Sequence, residues 1–86
     1  MTLRIEKHSD EQRTTIRLIG RMQREHIVEL EAQIKAGGAN VTLDLSEVSL
    51  VGLDVIRFLA RSQTQGISLV HCSRYIQNWI TKERGQ

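Results

Sequence analysis

Gly37-Gly38-Ala39-Asn40-Val41-Thr42-Leu43-Asp44-Leu45 decides the architecture. The glycine pair stops a helix, because glycine takes the left-handed position after a helix end at no steric cost. Val41, Leu43 and Leu45 alternate with Thr42 and Asp44, the period of a strand. Upstream, Ile27, Leu30 and Ile34 recur at spacings of three and four, with Glu25, Glu29, Glu31 and Lys35 on other faces, so the stopped element is an amphipathic helix. Before it, Thr14-Thr15-Ile16-Arg17-Leu18-Ile19 is β-branched and alternating, and Gly20 is read as its end. Strand, helix, strand is a β-α-β unit, which favours a parallel pair with a right-handed crossover.

Working outward, Leu3-Arg4-Ile5-Glu6-Lys7 alternates and is joined to the next strand by the polar turn Ser9-Asp10-Glu11-Gln12, with His8 in the same turn. This predicts a hairpin. Downstream, the spacing predicts a second helix from Leu53 to about Gln65, with Ile56, Leu59 and Ala60 on one stripe and Gly66 as its stop. Ile67-Ser68-Leu69-Val70 reads as a short strand. Ser73 is a good N-cap for a last helix containing Ile76, Trp79 and Ile80. The expected fold is α/β: a four-stranded mixed sheet with three helices, in the order β-β-α-β-α-β-α, forming one domain over residues 1–86.

Composition narrows the function. The chain has 86 residues and a net charge of +2, with 40% hydrophobic and 26% charged residues, which suits one small globular domain. Such a domain buries only about 60–65% of its unfolded surface, so most apolar residues must serve packing. Residues 1–50 hold seven basic and eight acidic side chains, and residues 51–86 five and two. That mild tilt argues against a cationic nucleic-acid arm. Phe58, Tyr75 and Trp79 are the only aromatics, too few for a base-stacking platform. Cys72 is the single cysteine, which excludes an intrachain disulfide framework and a cysteine-rich zinc site. The charged, alternating start does not read as a secretory leader, and no apolar run approaches the roughly 20 residues of a membrane helix. A cytoplasmic protein that contacts neither nucleic acid nor membrane is the expectation.

The segment Asp44-Leu45-Ser46-Glu47-Val48-Ser49-Leu50-Val51-Gly52-Leu53-Asp54-Val55-Ile56, within this element order, resembles a STAS domain, the fold of bacterial anti-sigma-factor antagonists. The family signature is a strand ending in Asp-Leu-Ser, then x-Val-x-x-(Ile/Val)-Asp-Ser-Ser-Gly-Leu opening a helix. Asp44, Leu45, Ser46, Val48, Val51, Ile56 and Leu59 match that frame. An earlier family feature, Leu-x-Gly-x-Leu-Asp, reads here as Leu18-Ile19-Gly20-Arg21-Met22-Gln23. The resemblance covers nearly the whole chain and stops short of the last strand and helix many members carry. It departs where the family is regulated. Asp-Ser-Ser-Gly reads as Gly52-Leu53-Asp54-Val55, so Asp54 stands at the phosphorylated serine and Val55 at the helix-opening glycine, which suggests a remodelled surface.

What the resemblance implies is a non-enzymatic protein-protein interaction module without the phospho-switch serine, its partner an anti-sigma factor or other serine-kinase-type regulator. The expected contact surface runs through Asp44, Ser46, Leu53, Asp54, Arg57 and Phe58. Each has another reading. Asp54 suits the positive end of a helix, and can pair with Arg57 three residues on, with Arg61 continuing the stripe. Asp44 and Ser46 suit a turn. Trp79 fits the core, with Tyr75 at its rim. An enzyme would have to use His8, His26, His71, Cys72, Asp44 and Asp54. Cys72 reads as a small buried hydrophobe and His26 as a solvated helix residue. No Gly-rich phosphate loop or paired-carboxylate spacing appears, so no catalytic residue, metal site or cofactor is expected. A small-molecule or nucleotide-binding sensor and a structural subunit of a larger assembly remain the alternatives.

Overall fold

The computed structural model describes residues 3–38, 40–50 and 52–84. Val51 of the family-like segment lies outside them. The elements are β1 (Leu3–Ser9), β2 (Thr14–Met22), a 3-10 turn (Arg24–His26) running into α1 (Ile27–Ala36), β3 (Val41–Leu50), α2 (Leu53–Thr64), β4 (Ser68–Val70) and α3 (Arg74–Glu83). Strand order in space equals strand order in the chain. β1 runs antiparallel to β2, while β2–β3 and β3–β4 are parallel. The expected α/β fold is therefore the observed one: a four-stranded mixed sheet and three helices in the order β-β-α-β-α-β-α.

Alternation divides the sheet into two unlike faces. Ile16, Leu18 and Met22 of β2 and Val41, Leu43 and Leu45 of β3 are buried on one face, together with Leu30 of α1, Ile56 and Leu59 of α2, and Ile76 and Ile80 of α3. The core thus lies between the sheet and one helical layer. The opposite face carries Arg4, Glu6, Arg17, Asp44 and Glu47. Glu6, Arg17, Asp44 and Val70 form a row across the four strands. Arg4 pairs with Glu6 at 2.9 Å, and Arg17 pairs with Glu47.

Four strand bounds differ from the sequence reading. β1 runs on to Ser9, which places His8 in the strand and not in a turn. β2 continues through Gly20 to Met22. β3 is twice the expected length, because a bulge sets Leu45 and Ser46 against Leu18 before pairing resumes at Ile19↔Glu47. A bulge inserts one residue and bends the strand without ending it. β4 begins at Ser68, one residue later than expected.

The helix ends follow local chemistry. Gly38 after α1 has φ +86°, and a Cβ built on Gly37 would stand 3.0 Å from Val41 Cγ2. Ser73 Oγ accepts the Ile76 N–H at 3.2 Å and caps α3 as read.

Candidate functional site

The carboxyl ends of the parallel strands and the start of α2 were expected to form one surface. The six residues fall into three settings. Asp44 and Ser46 lie at the bulge, Asp44 as the last regular pair before it and Ser46 within it: Asp44 Oδ1 accepts the Ser46 N–H at 3.0 Å and lies 3.1 Å from His71 Nδ1. Partial burial pushes the Asp44 carboxyl up, but the Ser46 N–H and hydroxyl and the His71 ring outweigh it and hold it below the usual range. His71 sits in the left-handed region at φ +57°, uncommon for a residue other than glycine. The carboxylate ties the interior of β3, and not a turn at its end, to the residue that leaves β4.

Leu53 and Asp54 form the second setting, at the start of α2. Leu53 is 38% exposed. Asp54 faces solvent, and its Oδ2 lies 3.7 Å from Arg24 Nη1. Arg24 comes from the turn that opens α1, so this pair joins the first turns of two helices. Val28, one turn on from Arg24, is 75% exposed. Gly52 precedes Leu53 with φ +93° and ψ 155°, a region that essentially only glycine adopts.

Arg57 and Phe58 make the third setting and are corrections. Arg57 does not pair with Asp54. Its Nε donates to Glu83 Oε1 at 3.1 Å and latches α2 to α3. Arg61 turns the other way, to Glu31 of α1 at 3.5 Å. Phe58 is 3% exposed and belongs to the core, so it is no surface anchor. Val55 is fully buried as well, so its place at the family's glycine does not mark a remodelled surface.

The remaining candidates are dispersed. His26 is not solvated: its Nδ1 accepts the Gln23 N–H at 3.0 Å and tightens the turn into α1. Cys72 is half-buried, and burial raises its thiol above the usual range. Trp79 is half-buried against the core, Tyr75 is exposed, and their ring centroids stand 5.7 Å apart. Among the described residues, no group of three or more His, Cys, Asp and Glu is placed to hold a metal, and no helix is long and apolar enough to cross a membrane. A polar cavity of about 400 Å³ lies at the opposite, amino-terminal edge of the sheet, lined by Asp10, Gln12, Arg13, Asn40, Thr42 and Ser68 among others.

Sequence reasoning missed Arg24, His71 and Glu83 as neighbours of the site. Two were within reach. Parallel pairing of β3 with β4 brings the residue after Val70 beside Asp44, and a β-α-β crossover brings the turn before α1 to the edge where α2 starts. No protein-family model matches the chain, and no curated protein matches it.

Proposed function

We propose that this chain is a regulatory protein-interaction module of the STAS type, and that its partner docks on the paired helix starts at Arg24, Val28, Leu53 and Asp54. The observation that carries this reading is the exposure of two large apolar side chains around an accessible Arg24–Asp54 pair. An apolar anchor within a charged rim is the composition of a protein interface. The resemblance of residues 44–56 to the anti-sigma-factor antagonists supports the same edge and suggests a serine-kinase-type regulator as the partner. Asp54 then supplies a fixed charge of about −1, where a phosphoserine would carry about −1.5 to −2. The position is permanently charged and is not switched.

The test is the affinity of the wild type, Leu53→Ala and Asp54→Ser for an anti-sigma kinase or for whatever protein co-purifies, at low and high salt. The expected result is a loss of tenfold or more for Leu53→Ala, about 1.4 kcal/mol. Asp54→Ser should weaken binding chiefly at low salt. Equal affinities for all three at both salts would refute this surface, with Gln77→Ala on α3 as the neutral control.

A further inference from the structure

The sheet has two edges, and they are unlike. β4 is three residues long, and brevity protects an edge from pairing. β1 is seven residues long, contains no proline, and among the described residues pairs only with β2. Every second residue of β1 therefore turns its N–H and C=O outward, away from the sheet. Arg4, Lys7 and His8 are exposed along it, and Glu6 is half-buried.

We propose that β1 pairs antiparallel with β1 of a second copy of this chain, in the register centred on Ile5. Among the registers centred on residues 4–7, in the middle of β1, the charge pattern selects both occupant and register. A two-fold pairing that keeps both helical layers on one face of the joined sheet sets a residue of β1 opposite its own copy. Centred on Arg4, it opposes two arginines. Centred on Glu6, it opposes two glutamates. Centred on Lys7, it opposes two lysines. Like charges directly opposite one another are destabilising. Centred on Ile5, it sets Ile5 against Ile5, and Arg4 of each copy against Glu6 of the other. Arg4 and Glu6 already share the open face and touch at 2.9 Å, so the two copies close a ring of alternating charge there. On the helical face, Leu3 meets the apolar stem of Lys7. The result is one continuous sheet of eight strands, four from each copy. Such an interface is small, so the dimer is weak and concentration-dependent.

Sedimentation velocity of the whole chain, from about 10 µM to about 1 mM at low salt, tests it. The wild type is expected to shift from monomer to dimer over that range. Arg4→Glu sets a second carboxylate opposite Glu6, Glu6→Arg sets a second guanidinium opposite Arg4, and each variant alone is expected to stay monomeric. Mixed one to one, the two variants place two carboxylates of one copy opposite two guanidinium groups of the other. That mixture is expected to dimerise within about tenfold of the wild-type constant. Amide hydrogen exchange supplies a readout that does not depend on the variants: protection over residues 3–9 should rise with wild-type concentration. A wild type that remains monomeric throughout, a mixture of folded variants that does not associate, or a dimer whose added protection lies outside residues 3–9 would each overturn the proposal.

Discussion

Phe58→Ala separates the packing of α2 from its surface. The ring is 3% exposed, and the Arg61 guanidinium stands 5.9 Å from its centroid. Removing a buried phenyl forfeits its transfer free energy and leaves a cavity, about 3–5 kcal/mol together. The cation–π contact adds about 0.5–1 kcal/mol. The folding stability of a chain this size is about 4–13 kcal/mol, so the substitution removes a large share of it. At about 4–8 °C per kcal/mol, the melting temperature should fall by about 12 °C or more. Phe58→Leu, which keeps most of the volume, should cost less than about 1.5 kcal/mol. Urea titration followed by far-UV circular dichroism measures both. A cost for Phe58→Ala below about 1 kcal/mol would mean that the ring faces solvent and would return it to the list of surface anchors.

Three further outcomes are expected. The Asp44 carboxyl titrates below its ordinary 3.8 in the folded chain, so its stabilisation is complete above that pH and is lost as the pH falls through the folded value; melting curves of wild type and Asp44→Asn should converge in acid, and a constant gap down to that range would exclude the effect. Cys72 should react slowly with a thiol reagent in the native state and quickly in denaturant, since it is half-buried with a raised pKa, and equal rates would mean an open thiol. Gly52→Ala should cost about 1–3 kcal/mol from backbone strain alone, because nothing lies within 4 Å of the added methyl; a neutral result would show that α2 can start from another conformation.

The order of elements was readable because each carried a clean period or a strong stop. The strand lengths were not, and the reason is local. Val41, Leu43 and Leu45 keep one phase, whereas Val48, half-buried on the same face, follows at the opposite parity. A strand that loses its alternation looks finished, although a single bulge at Leu45 and Ser46 accounts for the slip. Gly20 misled in the same way: Met22 retains the phase of Ile16 and Leu18, and it is fully buried. On α2, the stripe through Ile56, Leu59 and Ala60 hid a wider one, since Val55, Phe58, Leu59 and Ser62 also follow helical spacing and all are buried. Ser62 broke the apolar pattern, but its hydroxyl donates back to the Phe58 carbonyl at 2.9 Å and so tolerates burial. At the candidate site, Asp44, Ser46, Leu53 and Asp54 could be placed by element. Of their partners, His71 and Arg24 follow from strand pairing and the crossover, whereas the Arg57–Glu83 pair depends on how α2 packs against α3, which a single sequence does not carry.

The coincidence of strand order in space with strand order in the chain bears on synthesis. Each strand that leaves the ribosome finds its neighbour already made. A ribosome adds about 5–20 residues per second, so each strand after the first follows its neighbour within seconds. A hairpin closes in about 1–10 µs. The β1–β2 ladder can therefore equilibrate many times before β3 appears, and β3 before β4. No strand is left to find its place between two others. α3 emerges after all four strands and carries Ile76 and Ile80 into the core. Sealing of the apolar layer therefore waits on α3, and a nascent chain stalled before it holds all four strands with one flank of its core still wet.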